Sequence, residues 1–294
     1  MKNKQLICIL SIFVFALIIL CSCIYLKYQD NNTHILNNND AGSVINNYDN
    51  LDEQLLNKKS IKDYNENDVV NSFDSIYFGS YPQSDIDGNI KELIEWIILD
   101  RDEVNNEILV LSKYILDCKC YNINDENTTW ETCSLRKWLN NEFYNFAFSD
   151  IEKEQIVAND ILTKDNFDYG TIGGNNTIDN VFILSFDEIR KYFGMGKKWD
   201  NGGYQLNHNL GTLGTNYAKN IDNNGKKLFV ANNVVSFTGV DPNWCRGYSD
   251  YWTRSPGNKN NYVSFVGFNS FLGTIGTIVN KNDIGVRPAM RLKY

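Results

Sequence analysis

The cysteines of this chain could bind a metal ion or form disulfides. Beyond the N-terminal apolar segment the chain has Cys118, Cys120, Cys133 and Cys245. Zinc sites favour Cys-x-x-Cys loops, and Cys118-x-Cys120 lacks that spacing. A disulfide from Cys133 to Cys118 or Cys120 is one interpretation outside the cell, and free buried thiols are the other. We expect no metal ion and no cofactor.

A catalytic nucleophile would need a base, and the chain has two histidines, His34 and His208. Cys245 and His208 share a loop-rich region, but nothing orients the histidine and no Gly-x-Ser-x-Gly turn is present. A glycosidase uses two carboxylates about 5–10 Å apart, and the 36 acidic residues single out no pair. We therefore favour a protein without enzymatic activity, with a secreted hydrolase using unidentified Asp or Glu residues as the alternative.

Two arginines, Arg254 and Arg287, interrupt apolar strand segments beside a proline. In one interpretation their guanidinium groups face a ligand carboxylate or a sugar hydroxyl. In the other they are buried, bonded to carboxylates or backbone carbonyls, and hold adjacent strands together. We favour the second, because charged side chains are rarely buried unless they are paired.

An aromatic cluster precedes one of the C-terminal strands and contains Trp244, Tyr248, Tyr251 and Trp252, with Arg246 among them. Loops held by a rigid sheet often carry binding residues, and aromatic faces stack on sugars and peptides. We predict that Trp244, Arg246, Tyr248 and Tyr251 bind a ligand, and that Trp252 belongs to the core.

The strands and helices expected from the sequence, which would position these residues, indicate an α+β fold with a mainly antiparallel sheet. Strands are expected at both ends of the folded region, and helices in the middle. The expected strands are 75–79, Leu93–Leu99, Ile108–Ile115, Ile178–Leu184, Leu228–Phe237, Tyr251–Thr253, Tyr262–Phe268, Thr274–Val279 and Val286–Leu292.

Three helices have clear start signals. Ser134–Phe146 has apolar residues at helical spacing, and Trp138 among them is expected to be buried and structural. Ser149 and Ser185 each precede a glutamate by three residues, the spacing of a capping box. The helix that follows Ser185 should end at Gly194.

The N-terminal sequence predicts that the folded domain lies outside the cytoplasm. Residues 1–26 form a basic start followed by an apolar run with no ionised side chain between Lys4 and Lys27. This run is either an uncleaved hydrophobic helix in the membrane or a signal peptide. Leu20–Cys23 resembles a bacterial lipobox, which would make Cys23 the lipid anchor. Both interpretations place the domain on the outer side of the membrane.

Residues 27–71 are rich in asparagine and poor in apolar residues, so we expect a disordered tether, with a short helix over Asp52–Lys59. The folded domain is then 72–294. The net charge of −8 and the absence of a Lys/Arg cluster argue against nucleic-acid binding.

The folded region resembles an uncharacterised domain family of extracytoplasmic proteins in low-GC Gram-positive bacteria. Five segments carry the resemblance: Tyr77-Phe-Gly-Ser-Tyr-Pro-Gln83, Glu95-Trp-Ile-Ile-Leu-Asp100, Thr129-Trp-Glu-Thr-Cys-Ser-Leu-Arg-Lys-Trp-Leu-Asn-Asn-Glu-Phe-Tyr144, Trp252-Thr-Arg-Ser-Pro-Gly257 and Gly285-Val-Arg-Pro-Ala289. The family has no established activity. The last two segments are similar to the C-type-lectin-like fold of formylglycine-generating enzymes. Those enzymes need a C-terminal pair of cysteines, which this chain lacks.

Together these observations predict a membrane-tethered protein of the cell surface. Its domain would bind a glycan or another surface protein through loops on the sheet, without catalysis. A structural protein of the envelope is a further alternative.

Overall fold

The structure, a computed structural model, describes residues 51–55, 58–60, 73–199, 203–205, 211–220, 228–231 and 247–294. The predicted anchor at 1–26, including Cys23, lies outside the described residues, as does most of the predicted tether. So do Trp244, Arg246 and Cys245, both histidines, and most of the strand expected at Leu228–Phe237.

The domain is built mainly from short strands with a few short helices. In chain order the strands are β1 (Ser75–Tyr81), β2 (Glu92–Asp102), β3 (Glu107–Ser112), β4 (Asp117–Cys118), β5 (Ile156–Val157), β6 (Asn159–Ile161), β7 (Thr177–Asp179), β8 (Lys198–Trp199), β9 (Gly203–Gln205), β10 (Thr212–Leu213), β11 (Tyr248–Ser249), β12 (Tyr251–Pro256), β13 (Tyr262–Val266), β14 (Phe271–Ile278), β15 (Gly285–Val286) and β16 (Ala289–Lys293). The helices are α1 (Leu51–Leu55), α2 (Ser134–Trp138), a π-helical turn (Leu139–Phe143), α3 (Tyr144–Ala147), α4 (Asp150–Gln155), α5 (Phe186–Phe193) and α6 (Asn216–Lys219).

Two larger sheets organise the described part of the chain. One has the order β1-β2-β3-β16-β5, and the other has the order β4-β15-β12-β13-β14-β9-β8. Every described pairing of strands is antiparallel except that of β12 with β15, where Tyr251 lies opposite Gly285. The predicted α+β class with a mainly antiparallel sheet is therefore confirmed.

The C-terminus closes the first sheet. Strand β16 lies between β3 and β5, with Met290 opposite Val110. Buried apolar side chains follow one another without alternation along β2, for example at Ile97, Ile98 and Leu99. Such a run is typical of a strand that is covered on both faces.

The predicted helix at Ser134–Phe146 is present but is not a regular α-helix. The π-helical turn adds a residue to one turn, which rotates the residues that follow. Phe146 consequently points outward and is 46% exposed, and Trp138 is only partly buried. The side chain that caps the helix is Cys133, whose Sγ accepts a hydrogen bond from the backbone N–H of Arg136 at 3.3 Å, and not Ser134.

Both predicted capping boxes are confirmed, at Ser149 with Glu152 and at Ser185 with Glu188. Helix α5 ends at Gly194, which adopts a φ of 68°.

The strand expected at Ile178–Leu184 is mostly wrong. Only β7 is a strand, and Phe182 adds a single bridge to Ala289. The side chain of Asn140 takes the place of a neighbouring strand, because its Oδ1 accepts hydrogen bonds from the backbone of Asn180 and Val181.

Helix α1 packs on the domain. Leu51 and Leu55 are 2% and 5% exposed, and Gln54 forms two hydrogen bonds with the backbone of Tyr77 on β1. Arg101 donates to the carbonyls of Leu55 and Lys58. The contacts within the chain group Leu51–Tyr294 into one compact unit. None of the helices in the described residues has the length and apolar character needed to cross a membrane.

Candidate functional site

A cavity of about 360 Å³ lies where the start of α5 meets the second sheet. Its volume is within the range of small-molecule sites, about 300–1,000 Å³. The residues that line it come from the loop after β6, from α5 and from strands β12 to β14: Leu162, Lys164, Asp165, Asn166, Phe167, Ser185, Phe186, Asp187, Glu188, Arg190, Arg254, Ser255, Ser264 and Thr274.

Arg254 is the most buried charge of this cavity, with 3% of its surface exposed. Its Nη1 donates to Glu188 Oε2 at 2.5 Å and to the carbonyl of Ile183 at 2.8 Å, and its Nη2 donates to the carbonyl of Leu162 at 3.3 Å. The guanidinium carbon lies 5.5 Å from the ring centre of Phe182. The arginine thus joins β12 to α5 and to the loop after β6.

Glu188 is positioned by its own helix. Oε2 accepts hydrogen bonds from the backbone N–H of Ser185 at 2.7 Å and from its hydroxyl at 3.0 Å, which is the capping box of α5. Burial alone would raise the pKa of Glu188, but Arg254 and Ser185 hold this pKa below its ordinary value. The carboxylate is therefore ionised at neutral pH.

Three polar groups of the cavity have unused hydrogen-bonding capacity among the described residues. Arg254 Nε is buried and has no acceptor. Ser255 Oγ accepts from the backbone of Phe186 at 2.8 Å, but its own proton has no acceptor. Glu188 Oε1 accepts no hydrogen bond, because the bonds to this carboxylate all reach Oε2. Buried polar groups normally have partners, so the unpaired Arg254 Nε beside a free hydroxyl proton and a free carboxylate oxygen indicates a place where a ligand or water binds.

Asn166 fixes the loop that forms one wall. Its amide nitrogen donates to the carbonyls of Pro256 at 2.8 Å and of Thr274 at 2.9 Å, which lie on β12 and β14. Its oxygen accepts from the backbone of Asp168 at 3.0 Å. The loop is thereby held against the sheet, as a preformed site requires.

The next residue of this loop, Phe167, supplies an aromatic wall. Its ring centre lies 4.7 Å from that of Phe186 and 5.9 Å from that of Tyr204. Phe186 is buried, whereas Phe167 is 53% exposed. An exposed ring supported by buried rings can stack on a flat ligand.

The described lining of the cavity has equal numbers of cationic and anionic residues. The three cationic residues of the lining are Lys164, Arg190 and Arg254, and the three anionic ones are Asp165, Asp187 and Glu188. Asp187 pairs with Lys164 at 3.1 Å and with Arg190 at 3.4 Å. The described lining of the cavity therefore carries no net charge.

Of the residues predicted to bind a ligand in the aromatic cluster, the two that the structure describes, Tyr248 and Tyr251, do not line this cavity. Tyr248 is partly buried on β11, and Tyr251 is 2% exposed on β12. Their proposed partners Trp244 and Arg246 lie outside the described residues. Trp252 is 1% exposed, as expected for a core residue, and its Nε1 donates to the carbonyl of Lys119 at 2.8 Å.

Arg287 is also buried, with 3% of its surface exposed. Its Nε donates to the carbonyl of Ser112 at 2.8 Å, and its Nη1 donates to the hydroxyl of Tyr251 at 3.2 Å. Burial lowers the pKa of Arg287 and raises that of Tyr251 to about 12. These contacts join the strand region around Pro288 to β3 and β12, which agrees with the interior interpretation of this arginine.

The described cysteines are free thiols. Cys118 and Cys133 are buried and Cys120 is partly buried. Burial raises the pKa of Cys133 to about 12, so its thiol is protonated at neutral pH. Within the described ranges, no group of three or more His, Cys, Asp or Glu residues could hold a metal ion.

Sequence reasoning identified Arg254 but not the cavity around it. The signal for Glu188 was present in the capping box, yet its pairing with Arg254 spans 66 residues. Asn166, Phe167 and Ser255 carried no local pattern.

Searches among curated proteins and among solved structures found no match to this chain. Residues 105–294, which include the whole lining of the cavity, match the family described as "Domain of unknown function (DUF6273)". This match covers more than half of the chain, so the protein belongs to the DUF6273 family.

Proposed function

We propose that this protein is a membrane-tethered module of the cell surface that binds a glycan in the Arg254 cavity and performs no reaction on it. The observation that carries the proposal is the set of unused groups at Arg254 Nε, Ser255 Oγ and Glu188 Oε1. A sugar hydroxyl can both accept and donate a hydrogen bond, so neighbouring hydroxyls suit two donors beside one acceptor.

Charge and shape support a sugar over a charged ligand. The lining has equal numbers of cationic and anionic residues. The exposed ring of Phe167 offers a stacking face of the kind that sugars use, beside a polar floor.

The alternative of a secreted hydrolase that acts on a glycan with two carboxyl groups needs one of them to be protonated near neutral pH, because this group must act as the acid. Glu188 has the opposite tendency, since Arg254 and Ser185 hold its pKa below the ordinary value. This favours binding over catalysis at this site.

The location outside the cytoplasm rests on the sequence of residues 1–26. We propose a lipid anchor at Cys23, an extracytoplasmic domain of C-type-lectin-like fold, and an origin in low-GC Gram-positive bacteria. Mass spectrometry of the protein from membranes tests the anchor, because an intact segment from Met1 to Leu26 would show an uncleaved helix instead.

The glycan proposal is tested by titrating the protein with a panel of neutral di- and trisaccharides in calorimetry. Phe167→Ala and Ser255→Ala should each weaken binding, because they remove the stacking face and one donor. Phe146→Ala is the matched control, since Phe146 is 46% exposed and does not line the cavity. Equal affinity of wild-type protein and both cavity variants would contradict the proposal.

A further inference from the structure

A second groove, of about 470 Å³, shares no lining residue with the Arg254 cavity. The turn after β1 supplies Gln83, strand β2 supplies Leu93, and Tyr114 follows β3. Strand β10 and helix α6 supply Leu213 and Lys219. The groove is more open than the cavity, so its ligand can extend beyond the protein surface.

Lys219 is the one cation among the described residues that line this groove. Its ammonium group has no ion pair and no hydrogen bond among the described residues, and burial lowers its pKa. The acid of the groove, Glu92, is already engaged: its Oε2 accepts from the backbone of Ser84 at 2.6 Å and its Oε1 from the hydroxyl of Ser84 at 2.9 Å. An unpaired and partly desolvated ammonium is unfavourable, and an anion in the groove would relieve this cost.

Neutral donors lie beside this charge. The hydroxyl of Tyr114 and the side-chain amide of Asn216 line the groove and form no hydrogen bond with the described residues. Leu93 and Leu213, which are 44% and 39% exposed, form an apolar part of the groove's wall. The groove thus combines one cation, two neutral donors and apolar surface with one anion, Glu92, that is already bonded to Ser84. A carboxylate on an apolar body would satisfy the cation, the donors and the apolar surface.

We propose that this groove binds an organic carboxylate with an apolar body. Lys219 pairs with the carboxylate, Tyr114 and Asn216 add hydrogen bonds, and Leu93 and Leu213 contact the body. Two sources have this chemistry: the C-terminus of a peptide that ends in an apolar residue, and a short-chain alkyl acid.

The test is a titration of the whole protein, followed by NMR, with N-acetyl-leucine, hexanoate and the neutral control N-acetyl-leucinamide. N-acetyl-leucine should bind at least about tenfold more tightly than its amide, the effect of one charge-assisted hydrogen bond. Tighter binding of N-acetyl-leucine than of hexanoate identifies a peptide terminus, and the reverse identifies an alkyl acid. Equal binding of N-acetyl-leucine and its amide would overturn the proposal.

Variants assign the effect to the groove. Lys219→Met keeps the apolar stem and should abolish the preference for the acid, whereas Lys219→Arg should retain it. Lys137→Met, at an exposed lysine outside the groove, is the matched control. Phe167→Ala should leave carboxylate binding unchanged, which separates this site from the glycan cavity. A Lys219→Met protein that is folded and keeps the preference would overturn the assignment.

Discussion

Arg254 Nη1 and Ser185 both donate to one oxygen of Glu188, so the ion pair and the helix cap share the atom Oε2. This arrangement couples β12 to the first turn of α5. It also leaves Oε1 of the same carboxylate unused beside the cavity. One glutamate therefore stabilises the helix, neutralises a buried arginine and offers an acceptor to a ligand.

Removing Arg254 should be strongly destabilising. Arg254→Met leaves Glu188 charged without its cation, and a broken buried pair typically costs about 3–5 kcal/mol. The double variant Arg254→Met with Glu188→Met should lose less than the sum of the single changes, because no charge is stranded. Unfolding in urea measures the free energy of unfolding of the wild-type protein, the two single variants and the double variant. Additive losses would show that the two residues do not act as a pair.

Asp250 should make the stability depend on pH. Burial raises the pKa of Asp250 from 3.8 to about 6, although the backbone N–H of Phe268 donates to its Oδ1 at 2.8 Å. Because this acid binds its proton more tightly when folded, its contribution is most favourable below pH 3.8 and falls as the pH rises to about 6.

Asp250→Asn should remove this dependence. Its amide oxygen can still accept from Phe268, and no charge remains to be desolvated. We expect a gain in the free energy of unfolding of roughly 1–2 kcal/mol at pH 7.5, and little or none at pH 4. Thermal melts at the two pH values measure the difference. A variant that is less stable at pH 7.5 would contradict the assigned cause.

Local signals and distant contacts explain what the sequence could predict. The capping boxes at Ser149 and Ser185 depend on residues three positions apart, and both are present. The failed strand after Asp179 depends on Asn140, a residue 40 positions away that takes its backbone hydrogen bonds. The cavity depends on side chains from a loop, a helix and three strands, which no local pattern unites.

The tryptophans of the third resemblance segment should differ in their effect on stability. Trp130 is 1% exposed, and its Nε1 donates to Asp179 Oδ2 at 2.8 Å. Trp130→Ala should cost about 3–5 kcal/mol, the usual loss for a large buried aromatic residue. Trp138, which we expected to be buried, is only partly covered, so Trp138→Ala should cost about 1–2 kcal/mol. Denaturant unfolding of both variants ranks them, and the reverse order would contradict this assignment.

Helix α1 should belong to the folded domain and resist proteolysis with it. A protein that starts at Leu51 keeps the buried Leu51 and Leu55 and the hydrogen bonds from Gln54 to Tyr77, whereas one that starts at Ser72 loses them. Each fully buried leucine contributes about 1.5–3 kcal/mol, so the shorter protein should unfold at lower denaturant concentration.

In the longer protein, Gln54→Ala should weaken the attachment of α1, because the edge of β1 loses two hydrogen bonds. Glu53→Ala is the control at an exposed position of the same helix. Limited proteolysis followed by mass spectrometry measures the attachment. Rapid cleavage between residues 51 and 60 in a folded domain would mean that this helix does not stabilise it.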